Sequence, residues 1–372
     1  MLILLIVAAV ALAYANGSND NFKATATVFG TGTLTYGQSL RLATAAQLAG
    51  SFASVALADT LLKSFSGKGL LPEAIISGPE FLVAVSVGAA ATVLIATRVG
   101  IPVSTTHSLI GALVGTGLAL APTEVEWAAL GGRYFVPLLI SPLLAVVAAA
   151  LIYPFARWLR AVLGIEPTTC VCLPNAEPEP VAVDASGSLL LARTRLPLTV
   201  DQAEACSRRY QGRIGGISAQ RVLDAAHVGS AFSLGFARGL NDTPKVLALL
   251  IAAGWSGIAP QVSLLVVATA MAAGGLLHSR RLATTLGHRI TSMNHGQGLV
   301  ANAVGSVLVI GASLLGSPVS TTHVSTGAIF GIGIWTGSAD RRVIGGIVLA
   351  WVATLPLGAA IAFVVARSVG LL

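Results

Sequence analysis

Charge is what this chain is short of. Only 10% of its 372 residues are Asp, Glu, Lys or Arg, where a soluble domain carries roughly 25%. So few charges cannot coat a globule of this size, which excludes an ordinary water-soluble enzyme or binding module. Cysteine is scarcer: three residues always leave one unpaired, which excludes a disulfide scaffold. Acidic residues are outnumbered 15 to 22. In a chain this apolar the excess of +7 reads as topology information and not as a nucleic-acid footprint. What is abundant is apolar: 55% hydrophobic residues and 41 glycines, with a mean hydropathy of +0.83. These numbers describe an all-α polytopic membrane protein, with glycine suited to tight or broken helices.

Apolar stretches of membrane length run over 1–15, 39–62, 81–98, 102–121 and 129–155, and again over 228–254, 261–277, 298–315, 318–336 and 343–366. Several are short or glycine-rich, so the expectation is roughly ten to twelve membrane segments, some of them re-entrant hairpins. Residues 1–15 end in Ala13-Tyr14-Ala15, which mimics a leader cleavage site. No basic residue precedes the run and the sequence just after it recurs later, so it is read as a span. The expected organisation is a first transmembrane repeat over 1–156, a polar linker over 157–226 and a second repeat over 227–372.

The linker carries Arg157, Arg160, Arg193, Arg195, Arg208, Arg209, Arg213 and Arg221. Its proline-interrupted stretch, with Pro174, Pro178 and Pro180, suggests a lightly structured segment. Cys170 and Cys172 have no second pair to complete a metal site, so solvated thiols are expected. Basic residues at both ends place this linker in the cytoplasm. Threading outward puts Arg41, Arg98, Arg280, Arg281, Arg289, Arg341 and Arg342 inside, and both termini outside. Lys63 and Lys68 are the exceptions, landing outside. Five crossings per half would insert the second half upside down relative to the first.

Two motifs occur twice. Ala15-Asn16-Gly17-Ser18-Asn19-Asp20-Asn21-Phe22-Lys23 is matched by Ala237-Arg238-Gly239-Leu240-Asn241-Asp242-Thr243-Pro244-Lys245, a shared A-x-G-x-N-D-x-x-K frame. Pro102-Val103-Ser104-Thr105-Thr106-His107 recurs unchanged as Pro318-Val319-Ser320-Thr321-Thr322-His323. Asn19 precedes Pro102 by 83 residues and Asn241 precedes Pro318 by 77. Matched motifs at matched separations in two inverted halves are the signature of a secondary transporter, and they mark its substrate site.

The chemistry of each motif is specific. Asp20 and Asp242 stand in apolar spans, where an unpartnered carboxylate costs several kcal/mol, so each should be protonated or bound to a cation. Asn19 and Asn241 add carbonyl oxygens, hard ligands suited to Na⁺. Alternatively the Asn-Asp pairs cap helix ends that face water. The prolines start helices, whose free amides and dipoles attract an anion, and Ser104, Thr105, Thr106, Ser320, Thr321 and Thr322 supply further donors. Plain Ser/Thr packing between membrane helices is the competing reading. Lys23 and Lys245 either neutralise charge at the mouth of the site or snorkel to an interface. His107 and His323 either relay protons or bond a neighbouring carbonyl. Together these groups outline one chamber holding a multiply charged oxyanion beside its cations.

At these motifs the chain resembles the inorganic phosphate transporter (PiT, or PHO4) family, which carries G-x-N-D and then P-[VI]-S-x-T-H in each half. Gly17, Asn19, Asp20 and Pro102 to His107 carry the first match; Gly239, Asn241, Asp242 and Pro318 to His323 carry the second. The resemblance implies an inverted-repeat fold, a homodimer in the lipid bilayer of a bacterial-type inner or plasma membrane, and symport of phosphate with Na⁺ or H⁺. No other cofactor is implied. By this likeness Asp20, Asp242 and the two Ser-Thr-Thr clusters line the phosphate site. Asn19 and Asn241 join the aspartates in binding cations. The chain departs from the family at Asn21-Phe22-Lys23 and Thr243-Pro244-Lys245, where small residues often follow the Asp. It also has Gln47 and Asn302 where a rough alignment places intramembrane glutamates.

Sulfate permeases of the same family and a passive anion channel are the alternatives. An ionised Asp20 or Asp242 accepts the O–H that phosphate retains at neutral pH and sulfate lacks, which favours phosphate. An enzyme is not expected, because no G-x-S-x-G elbow or H-E-x-x-H run appears.

Overall fold

Each of the ten apolar stretches is covered in large part by helix in the computed structural model. The structure describes every residue except 1, 66, 68, 173–178, 184–188, 193–198, 210–216, 253–259, 289–292 and 370–372. Lys68, Arg213 and Arg289, used above for orientation, lie outside the described residues, as do Arg193, Arg195, Pro174 and Pro178. The first half runs α1 (Leu2–Asp20), a 3-10 turn over Asn21–Thr25, α2 (Ala26–Gly30), α3 (Tyr36–Leu57), α4 (Asp59–Ser64), α5 (Glu73–Ile76), α6 (Pro79–Val99) and α7 (Thr105–Leu120). It ends with α8 (Trp127–Ala129), which passes through a π-helical turn into α9 (Val136–Val162). After the short α10 (Ala203–Arg209) come α11 (Ala219–Ala252), α12 (Pro260–His278), α13 (Arg280–His288), α14 (His295–Leu314), α15 (Thr321–Thr336) and α16 (Arg341–Val369).

Among the described residues, seven helices are long and apolar enough to cross a bilayer: Ile3–Gly30, Tyr36–Leu57, Pro79–Val99, Trp127–Val162, Gln261–His278, His295–Leu314 and Arg341–Val369. Their outer faces suit lipid. Leu139 is 71% and Leu349 69% exposed, whereas Asn19 and Asn241 are fully buried. Apolar side chains outside with amides inside is the arrangement hydrocarbon demands.

Residues Met1–Tyr153 and His227–Leu372 form one compact unit, and Pro154–Ala226 form a second. The smaller unit contains β1 (Thr169–Cys172), β2 (Glu179–Val183), β3 (Leu189–Ala192), β4 (Thr199–Gln202) and β5 (Ile217–Ser218). β1 is the antiparallel centre of a β4-β1-β5 sheet, and β2 pairs with β3. The cysteines here are not solvated. Residues two apart on a strand share a face, and α10 packs against β1. Cys170 and Cys172 are accordingly buried, Cys172 in a disulfide with Cys206 and Cys170 as a free thiol. An odd cysteine count excluded a fully paired scaffold, but not this single bridge.

In the larger unit, α1 packs on α6 and α12, α3 on α12, and α16 on α6 and α7. Glycine sets the closest approaches. A Cβ on Gly17 would overlap the backbone carbonyl of Met271 in α12, and one on Gly239 would overlap that of Gln47 in α3. The glycine of each G-x-N-D motif is thus one point where its helix touches a neighbour's backbone, the use of small residues that membrane helix packing favours.

Candidate functional site

The two S-T-T segments begin helices where the prolines said they would. Ser104 caps α7 and Ser320 caps α15, each accepting the amide N–H of the histidine three residues on, at 3.1 Å for His107 and 3.2 Å for His323. Such a hydroxyl accepts one bond and keeps its own proton to donate. Ahead of each cap a short extended segment leaves carbonyls outside any helix, and the asparagines hold these segments in place. Asn19 donates to Thr97 Oγ1 (3.0 Å) and Ile101 O (3.2 Å), while its Oδ1 accepts the Val103 N–H at 3.2 Å. Asn241 donates to Val319 O (3.3 Å) and accepts from Ser313 Oγ (3.3 Å).

The two segments meet each other. Thr106 Oγ1 donates to Val319 O of the other half at 3.3 Å, and Thr322 Oγ1 donates to Val103 O at 3.0 Å. The His107 and His323 rings lie with centroids 4.3 Å apart, and His323 stacks on Trp351 at 3.9 Å. His107 Nδ1 lies 3.0 Å from Ser104 Oγ.

Both aspartates are buried beneath these hydroxyls, 2% exposed each. Asp20 accepts from Asn16 Nδ2 (3.1 Å), Thr105 Oγ1 (2.8 Å) and Thr322 Oγ1 (3.2 Å), and forms an ion pair with Lys23. Asp242 accepts from Thr321 Oγ1 (3.4 Å) and Asn241 Nδ2 (3.1 Å), and pairs with Lys245 at 3.0 Å. The alternative of Asx residues capping a helix toward water does not describe these buried groups.

The lysines are found neither at a mouth nor at an interface: Lys23 is 3% and Lys245 1% exposed. The reason is local. In Asp-x-x-Lys the two side chains sit three residues apart and share one helical face. A snorkelling lysine would leave a bare carboxylate in hydrocarbon, a larger loss than the ammonium's own desolvation within the pair.

The variable position of the frame hides a further residue. Arg238 is 3% exposed, with Nη2 at 3.2 Å from Asp20 Oδ1 and 3.9 Å from Asp242 Oδ2. Neither Nη atom has a hydrogen-bond partner of acceptable geometry among the described residues. Motif matching overlooks it because the first half has Asn16 at this place. The usable signal was charge: an arginine among apolar residues, four before an aspartate, on one helix face. With Lys23, Lys245 and Arg238 against Asp20 and Asp242, the ionised cluster carries one positive charge in excess.

A cluster of buried donors with spare positive charge, roofed by hydroxyls from both halves, has the chemistry to hold an oxyanion. Comparison with known proteins places the chain in a family. The model of the PHO4 phosphate transporter family matches residues 16–362. A Mycobacterium bovis protein named "Probable low-affinity inorganic phosphate transporter" is 27% identical, the match covering 96% of this chain and 75% of that one. An Arabidopsis thaliana protein named "Inorganic phosphate transporter 2-1, chloroplastic" is also 27% identical, over 95% of this chain and 69% of its own. A solved structure titled "The sodium-dependent phosphate transporter" superposes with a TM-score of 0.77 at 19% identity, over 100% of this chain and 99% of that one. At that identity the likeness speaks for the fold alone. The family match spans both motif pairs and nearly the whole membrane-embedded unit: this helical membrane protein belongs to the PHO4 phosphate transporter family, a family of transporters and not of enzymes.

Proposed function

We propose that the chain is a secondary active symporter that moves inorganic phosphate across the membrane by alternating access, coupled to a gradient of H⁺ or Na⁺. The observation that carries this reading is Arg238, a buried guanidinium between two buried aspartates, with both Nη atoms free of hydrogen-bond partners among the described residues. A carboxylate pair alone repels phosphate; the extra positive charge makes the cluster attractive to it. Phosphate oxygens accept from Arg238 and from hydroxyls of Ser104, Thr105, Thr106, Ser320, Thr321 and Thr322. Asp20 or Asp242 accepts the proton that phosphate keeps. Asp20 beside Asn19, and Asp242 beside Asn241, are the groups that balance positive charge in the cluster.

The two halves act as inverted repeats that rock about this site. The cross-half bonds from Thr106 to Val319 and from Thr322 to Val103 are contacts such a movement would exchange. The linker faces the cytoplasm, the termini face outward, and the protein works as a homodimer.

The test is uptake of labelled phosphate into proteoliposomes under an imposed cation gradient. Concentrative uptake, resistant to excess sulfate, is expected. Uptake that only equilibrates identifies a passive channel, and competition by sulfate at equal concentration identifies a sulfate permease.

A further inference from the structure

Each buried lysine ends in the same set of ligands. Lys23 Nζ donates to Asp20 Oδ1, to Val103 O at 2.7 Å and to Thr322 Oγ1 at 2.6 Å. Lys245 Nζ donates to Asp242 Oδ1 at 3.0 Å, to Val319 O at 3.1 Å and to Thr106 Oγ1 at 2.8 Å. Each set has one carboxylate, one carbonyl outside any helix and one hydroxyl from the opposite half. Three hard oxygens around one positive charge are what a small inorganic cation asks of a protein. Here an ammonium spends all three of its N–H bonds on them and has no acceptor with which to attract a further cation.

The neighbouring groups leave little else to offer. Asn19 Oδ1 accepts from Val103 N–H, and Asn241 Oδ1 lies 3.3 Å from Ser313 Oγ, which shares its one proton with Val309 O at 2.8 Å, so both asparagine carbonyls face donors of the protein's own. Arg238 adds a third buried positive charge within ion-pairing reach of both aspartates. A cation entering this cluster would meet three fixed positive charges against two negative ones, in a medium that screens them weakly.

We propose that Lys23 and Lys245 are resident cations that stand in for inorganic ones, so that phosphate binding and transport by this chain run without Na⁺. The proposal rests on the reading of the cluster as a phosphate site and sets the chain apart in its coupling from the sodium-dependent protein whose fold it shares. Charge compensation that other designs would import is here built in at both symmetric positions. A proton is then the coupling ion that requires no site beyond the groups already present.

The experiment compares NaCl with choline chloride at equal ionic strength, using the full chain in detergent and in proteoliposomes. For the unsubstituted protein, inorganic phosphate should raise the unfolding temperature equally in both salts, and Na⁺ alone should add nothing. Uptake should be the same in both and should respond to a pH gradient. Lys23→Ser and Lys245→Ser open one position each. At least one should gain Na⁺-specific stabilisation and a Na⁺ requirement for uptake of about tenfold, worth about 1.4 kcal/mol. Na⁺-specific stabilisation or Na⁺-stimulated uptake in the unsubstituted protein overturns the proposal. So do well-folded serine variants that remain indifferent to Na⁺. Indifference to phosphate in both salts would instead reject the phosphate reading, while Na⁺ stabilisation confined to the serine variants would still uphold the role of the lysines.

Discussion

The two copies of the A-x-G-x-N-D-x-x-K frame are built differently. In the first, α1 ends at Asp20 and a 3-10 turn carries Asn21 to Thr25; in the second, Gly239 to Lys245 all lie within the 34-residue α11, Pro244 included. Yet both lysines reach matching ligands. The spacing of three explains this, since residues i and i+3 fall on one side of a helix at 3.0 or at 3.6 residues per turn. What breaks the equivalence is the second residue of the frame, Asn16 in one half and Arg238 in the other. The matching parts pair each buried aspartate with a lysine. The mismatched residue supplies the net charge, and the anion site proposed above needs that charge only once.

The largest expected effect separates the two aspartates. Asp20 receives bonds from Asn16, Thr105 and Thr322, pairs with Lys23 and has Arg238 at 3.2 Å; Asp242 has Arg238 only at 3.9 Å and its Thr321 bond is 3.4 Å long. Removing one partner of a buried pair costs about 3–5 kcal/mol. Asp20→Asn should fall in that range in thermal or denaturant unfolding, with Asp242→Asn losing clearly less. Both should lose coupled uptake while still inserting in the membrane. Equal losses of stability would mean that Arg238 serves the two carboxylates alike.

A second test makes the halves match. Arg238→Asn copies the first-half residue and leaves two lysines facing two aspartates, so the cluster stays balanced and the chain should remain folded. Phosphate uptake should drop about 100-fold, as expected for the loss of charge-assisted bonds of about 1.5–3 kcal/mol. Asn16→Ala removes one bond to Asp20 and should cost only a few-fold. An Arg238→Asn variant that transports normally would show that the spare charge is not what draws the anion.

Much of this site could be read from the chain. Duplication exposed the aspartates and hydroxyl clusters, and Pro102 and Pro318 marked helices that begin at Thr105 and Thr321. The remainder depended on contacts that no pattern encodes. Pro244 stands inside α11, where a proline in a membrane helix forfeits only the bond from its missing amide while neighbouring groups support the rest. For Lys23 and Lys245 the sequence left open a place at the mouth of the site or at an interface; their burial beside Asp20 and Asp242 is a matter of contacts. Arg238 sat in plain view at a position that comparing the halves treats as variable. Cys206 gave no sign of its partner because connectivity across a sheet and a helix is not written in spacing.

The smallest effect concerns Gln47 and Asn302, amides where a rough alignment suggested carboxylates. Gln47 Nε2 donates to Ser51 Oγ at 2.7 Å, and Ser51 lies 2.6 Å from Thr243 Oγ1 beside the second N-D pair. Asn302 Nδ2 donates to Thr27 Oγ1 at 2.8 Å, with Ser230 Oγ at 3.4 Å. Both amides are buried; Gln47 bonds within α3 to Ser51, Asn302 ties α14 to Thr27 and Ser230, and among the described residues neither bonds to Asp20 or Asp242. Gln47→Leu removes a group whose Oε1 already lacks a partner among the described residues, so stability should change by less than about 1 kcal/mol. Asn302→Leu forfeits two donated bonds and should cost about 1–2 kcal/mol by unfolding measurements. Uptake should stay within about threefold of the parent in both, because the charged cluster is intact. Loss of uptake in Gln47→Leu with unchanged stability would extend the working site along the Ser51–Thr243 chain, and would do so in one half only.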